Sequence, residues 1–370
     1  MADLNRQDAN SAIRPVRLPS IDSNFAERAG CLPKDYITDW LAELKAQNKA
    51  RIEEADELSG EYLTKECVEY IFTLCIRLRL PSEVRFIAAG IFDRFMVLHT
   101  QQMFVFLATL DMDGKSRKEE WEKVETNMSR QLILRICTAI QIASKEVSYH
   151  DSLSTSQVCN CLRSLGSPHT RKAVLKSELR IFKTLQYRIP HIPVVYAESL
   201  VKILGMRRLS SPSCPYLDIE ALWNFVTILL DVVYMKRDAI YNRMMRAVLG
   251  GTVTRQDKAR LQADWMHLAC SLIVAASCCH YGFDIGDPMA YELEMICETP
   301  AGDTTELAIA IIEVARGDDK EDCSRDTHTT PTRNTQTYDI LSRGVRNVRR
   351  AEGGRDRRDS HSPLAKRQRF

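Results

Sequence analysis

An all-α protein is what this sequence predicts, and three observations carry the prediction. Apolar residues recur at helical spacing from residue 35 to about 315 with almost no strand alternation. One segment, LILRICTAIQIA at 132–143, is apolar around nearly its whole circumference; such a helix is stable only when others wrap it. From 341 onward the chain carries ten Lys/Arg against three Asp/Glu and no core pattern, so it cannot offset its own chain entropy.

The elements follow in order. Residues 1–30 are polar, lack the apolar run of a secretory signal, and are expected to be disordered. In DYITDWLAELKAQNKARIEEADEL, Ile37, Leu41 and Leu44 share one stripe, an amphipathic helix within 31–60 that Ser59-Gly60 should end. A second helix is expected over about 62–78. Pro81-Ser82-Glu83 opens a third, VRFIAAGIFDRFMVLHTQQ.

The charged insert DMDGKSRKEEWEKVETN reads as a surface loop leading into a short helical turn. Its Asp111-Met112-Asp113-Gly114 mimics a calcium loop, with the glycine two places too early. The 132–143 helix comes next and ends on Lys145 and Glu146. STSQVCNCLRSLG and TRKAVLKSELRIFKTLQYRI follow, stopped by Pro190. PVVYAESLVKILG, DIEALWNFVTILLDVVYMK, RLQADWMHLACSLIVAASCCHYG and TTELAIAIIEVARG then supply four more helices, to about 317.

Composition narrows the function. Hydrophobic residues make up 45% and charged residues 27% of 370, a soluble profile with no apolar run of membrane-spanning length. A net charge of +2 argues against a core that binds nucleic acid directly. The twelve cysteines form no CxxC pair and mostly sit in apolar runs, as reduced buried thiols do. Cys159-Asn-Cys161 and Cys278-Cys279-His280 have metal-like spacing but no second half, so no metal and no cofactor is expected. HExxH, GxSxG and GxxxxGK are absent, and no catalytic residue is assigned.

Two acids interrupt apolar stripes: Asp93 among Phe86, Ala89 and Met96, and Glu178 among Val174, Ile181 and Leu185. Each either reaches water at the margin of its stripe or has a partner, because an unpaired buried carboxylate costs several kcal/mol. Lys145 has two readings as well: a favourable charge at a helix C-terminus, or a docking point.

Three motifs in register, GIFDRFMVL, AIQIASKEV and LKSELRIFKTLQYRIP, resemble the cyclin box across about residues 61–195. The resemblance implies a cyclin fold of two five-helix repeats. These would be a cyclin box at 61–190 and a degenerate repeat at 191–317 with WMHLACSLIVAASCC as its central helix; a disordered basic tail, 318–370, would follow. The long charged insert points, within that family, to members acting in meiotic crossover formation. The implied function is non-catalytic: protein docking in germ-cell nuclei, on meiotic chromosomes, that helps recombination intermediates mature into crossovers. Recombination factors and a cyclin-dependent kinase are the candidate partners. A cyclin-fold transcription or DNA-binding adaptor and a cell-cycle cyclin stay open as alternatives.

Particular residues follow from the same resemblance. The lysine ending the central helix and the glutamate of the fifth contact the kinase in kinase-binding cyclins, and they match Lys145 and Glu178. The family's apolar substrate-docking patch is replaced by Leu63-Thr64-Lys65-Glu66-Cys67, which suits apolar motifs poorly. The arginine that pairs with the DRF aspartate is missing, so Lys65 is expected to pair with Asp93. In the tail, Thr330-Pro331 and Ser362-Pro363 fit proline-directed phosphorylation, and KRQR (Lys366, Arg367, Arg369) fits nuclear import.

Overall fold

The computed structural model describes residues 34–148, 150, 152–189, 192–209, 217–249 and 254–317. Among them every regular element is a helix, thirteen in all, with no strand. The expected disordered segments, 1–30 and 318–370, lie outside the described residues, and with them Thr330, Ser362, Lys366, Arg367 and Arg369. No helix among the described residues is long and apolar enough to cross a membrane.

The N-terminal part comprises α1 (Lys34–Glu53), α2 (Lys65–Arg77), α3 (Ser82–Thr109), α4 (Gly114–Val147), α5 (Thr155–Ser164) and α6 (Arg171–Thr184). Helix α4 is the wrapped one: every residue from Ile136 to Ser144 is buried, and α2, α3, α5 and α6 all pack against it. The starts of α2, α5 and α6 are capped by Thr64, Ser154 and Thr170, each accepting a hydrogen bond from a first-turn N–H.

The charged insert is not a loop with a short turn. Asp113 caps a helix that runs unbroken from Gly114 into the apolar segment, making α4 34 residues long. Trp121, Val124 and Met128 recur at helical spacing and pack toward α3, which itself extends to Thr109. Phe104 and Trp121 meet edge to face with centroids 5.9 Å apart. Three apolar residues among many charges suffice because only one stripe needs covering. Helix α1 also departs from expectation, ending at Glu53 well before Ser59-Gly60, and turns carry the chain over 54–64.

The C-terminal part contains α7 (Pro193–Leu209), α8 (Ile219–Met235), α9 (Arg237–Leu249), α10 (Arg255–Ala263), α11 (Trp265–Tyr281), α12 (Phe283–Cys297) and α13 (Ala301–Arg316), seven helices where four were expected. Helix α11 is buried continuously from Met266 to Ser277 and is covered by α7, α8, α12 and α13. Helix α12 escapes a sequence reading because it contains Gly286 and Pro288. That glycine permits close approach, since a Cβ there would lie 2.4 Å from Cys278 Sγ.

The halves meet through α2 and α3 against α8. Arg85 pairs with Asp231 at 2.9 Å, and Phe72, Phe86 and Tyr234 form a ring cluster. Helix α1, though the first of the described helices, is seated on the C-terminal part. Trp40 Nε1 donates to Ser199 Oγ (2.9 Å), and Asn48 Oδ1 accepts from Trp265 N and Met266 N, satisfying the start of α11. Arg51 lies over the Trp265 ring, 3.3 Å from its centroid.

Candidate partner-docking face

The two residues singled out at the end of α4 and on α6 are brought together. Lys145 Nζ donates to Glu178 Oε1 in a short ion pair; the lysine side chain is 39% exposed and the glutamate 13%. Register follows from the buried side of the same helices. Ser177, adjacent to Glu178, is buried; its hydroxyl lies 3.0 Å from Thr138 Oγ1 and accepts from Arg135 Nη1 at 2.8 Å. With Ser177 held opposite Thr138, Glu178 reaches the last turn of α4, where the helix dipole also favours the ammonium of Lys145. Beyond it, Ser144 Oγ accepts from Leu153 N and ties the outgoing loop to α4.

The stripe carrying Glu178 is buried as expected: Val174, Ile181 and Leu185 are each 6% exposed or less. Sequence reasoning missed its flank. Leu175 and Leu179, one turn apart on the Glu178 side of α6, are 47% and 49% exposed. The available signal was their displacement from the Val174–Ile181 stripe. An ion pair beside two uncovered leucines is a surface that can bury apolar area and orient a partner by charge.

Asp93 has a different role from the expected one. Its buried carboxylate accepts from Gly60 N (2.7 Å) and Tyr62 N (3.0 Å), so it anchors the 54–64 connector on α3. Burial raises its pKa to about 6, against the lowering effects of Arg237 and the two backbone N–H groups. The cation is thus Arg237, at the start of α9, while Lys65 stands exposed in the first turn of α2. The expected Asp93–Lys65 pair is therefore corrected to a site closed by the connector and by the other half of the chain. Gly60, at φ 83°, is required there twice: it turns its N–H inward, and a Cβ would fall 1.6 Å from Arg237 Nη1. Tyr62 completes the closure, its hydroxyl 2.7 Å from Thr100 Oγ1. Since Thr100 donates to Met96 O, Tyr62 is the donor.

The cysteine motifs do not assemble a site. Cys137 on α4 hydrogen-bonds Cys161 on α5 and lowers the latter's thiol, while His280 lies against Phe225 and Tyr281. Among the described residues no cluster of three or more His, Cys, Asp or Glu could hold a metal.

With this geometry in view, comparison with known proteins gives a consistent result. Cyclin N-terminal domain-containing protein 1 of Homo sapiens is 28% identical over 270 residues, spanning 72% of this chain and 79% of that protein. This chain resembles a cyclin-like protein. Its namesake in Mus musculus is 29% identical over 271 residues, with 72% and 78% covered. No family model matches the chain, and no solved structure matches it.

Proposed function

We propose that this chain is a non-catalytic, cyclin-like regulatory protein that works by docking protein partners. On this reading α2 to α6, around α4, form a cyclin box, and the helices around α11 form a degenerate second repeat. The protein promotes maturation of meiotic recombination intermediates into crossovers, with a cyclin-dependent kinase as the candidate occupant of the Lys145–Glu178 face. It acts in the germ-cell nucleus, with KRQR at 366–369 as import signal and Thr330 and Ser362 as phosphorylation sites. Lys65 and Glu66, both exposed on α2, disfavour recruitment of arginine-x-leucine substrates through that helix.

The observation that carries the reading is the Lys145–Glu178 pair beside exposed Leu175 and Leu179. Charge reversal tests it. Lys145→Glu sets a like charge beside the largely buried Glu178 and should cost roughly 1–2 kcal/mol of folding stability, well short of unfolding the chain. Kinase co-purification from germ-cell extract should fall about 30-fold or more, the loss expected when one member of a desolvated interfacial pair is removed. Kinase recovery equal to wild type from the folded variant would refute the docking role. Nuclear accumulation undiminished by deletion of residues 341–370 would refute the import signal.

A further inference from the structure

On the flank of α6 opposite Leu175 and Leu179, a groove of about 390 Å³ runs between α3, α4 and α6. Its floor is apolar, made by Phe95, Met96, Met103 and Met128. At one end the wall is cationic: Arg135 from α4, and Lys176 and Arg180 one turn apart on α6. Among the described residues no carboxylate lines it.

No acid among the described residues compensates these charges. Arg135 donates to neutral groups, Ser177 Oγ at 2.8 Å, Ser177 O at 3.5 Å and Gln131 Oε1 at 2.6 Å, and its guanidinium sits over the Phe95 ring. Arg180 has His99 Nδ1 at 3.5 Å as its near neighbour, a nitrogen that must stay unprotonated to accept. Burial, reinforced by Arg180 and Arg135, pushes His99 down to about 4. Desolvation foremost, then Arg180, likewise pulls Arg135 down to about 10. Glu125, an acid on this stretch of α4, accepts from Trp121 Nε1 at 2.5 Å and does not line the groove. Like charges gathered around a cavity without counter-ions store repulsion that an incoming anion relieves.

We propose that this groove binds a phosphorylated serine or threonine of a protein partner, with an adjacent apolar side chain seated on the Phe95–Met103–Met128 floor. Two guanidinium forks and an ammonium match the oxygens of a phosphate monoester and give it more charge than a carboxylate would receive. A nucleic-acid backbone fits less well, because it is read by a long basic track with stacking platforms, whereas here the cations sit at one end of an apolar cleft.

Fluorescence anisotropy on the purified full-length chain, with no other protein present, tests this independently of what occupies the Lys145–Glu178 face. The probe is a labelled phosphothreonine peptide with a neighbouring leucine, compared with its unphosphorylated and glutamate counterparts and with a short single-stranded DNA. The phosphopeptide should bind at least about tenfold more tightly than the other three. Arg180→Glu and Lys176→Glu, both surface changes, should each weaken it by about tenfold with the melting temperature unchanged. In NMR titrations the His99 pKa should rise when the phosphopeptide is bound, because a dianion then faces the ring. Equal affinity for any of the three comparison ligands, or wild-type affinity in the two folded variants, would overturn the proposal.

Discussion

Replacing Arg237 by glutamine should destabilise the protein in a pH-dependent way, and the size of the effect can be worked from the Asp93 site. The carboxyl of Asp93 titrates near 6 in the fold against 3.8 ordinarily, about 2 units, equivalent to about 3 kcal/mol. A raised pKa means that the folded chain holds its proton more tightly than the unfolded one. This group's contribution is therefore fully present below about pH 4 and is lost as pH rises through about 6. Taking away Arg237 removes the cation that opposes the shift and pushes the pKa higher still. Near pH 7.5 the variant must either hold the carboxylate without its cation or take up a proton to avoid doing so, and a further upward shift of about one to two units should cost it roughly 1–2 kcal/mol. Near pH 5 the carboxyl is mostly neutral, and the loss should be about 1 kcal/mol or less. Urea unfolding at both pH values reads the difference, with Asp93→Asn as the variant in which this pH dependence disappears. Equal losses at the two pH values would refute the electrostatic account and leave Arg237 as a packing residue over Gly60.

Three further outcomes are expected. Gly60→Ala should cost about 2 kcal/mol or more in urea unfolding, since it combines a left-handed backbone with a collision on Arg237. Asn48→Ala should cost about 2 kcal/mol and raise amide exchange at Trp265 and Met266, whose N–H groups lose their acceptor. Trp121→Ala should cost about 3 kcal/mol, with faster amide exchange confined to the outer parts of α3 and α4.

The fold was legible where one helix is apolar all round. LILRICTAIQIA and WMHLACSLIVAASCC announce helices that must be enclosed, and both are. It was less legible where burial rests on a thin stripe: Trp121, Val124 and Met128 among eleven charged residues at 111–130 look like a solvated excursion until α3 is known to lie beside them. Proline and glycine hid α12, because a breaker read locally says nothing about the neighbour that tolerates it. At the candidate face, Lys145 and Glu178 could be paired from motif order, yet the exposed Leu175 and Leu179 emerge only once the buried face of α6 is fixed. Asp93 advertised its need for company, but nothing in its local sequence pointed to Arg237.

The placement of α1 has a consequence for how the chain is made. Trp40 and Asn48 find their hydrogen-bonding partners 159 to 218 residues later. At ribosomal elongation rates that is a delay of roughly 10–40 s, during which α1 emerges without its seat. The helices from α2 to α6 can gather around α4 in the meantime, whereas α1, whose Leu44 is almost wholly covered in the finished fold, must wait with that leucine exposed. Its docking is a late event in biosynthesis, and a nascent or truncated product ending near residue 190 carries an apolar segment with nowhere to go, the kind of segment that chaperones hold.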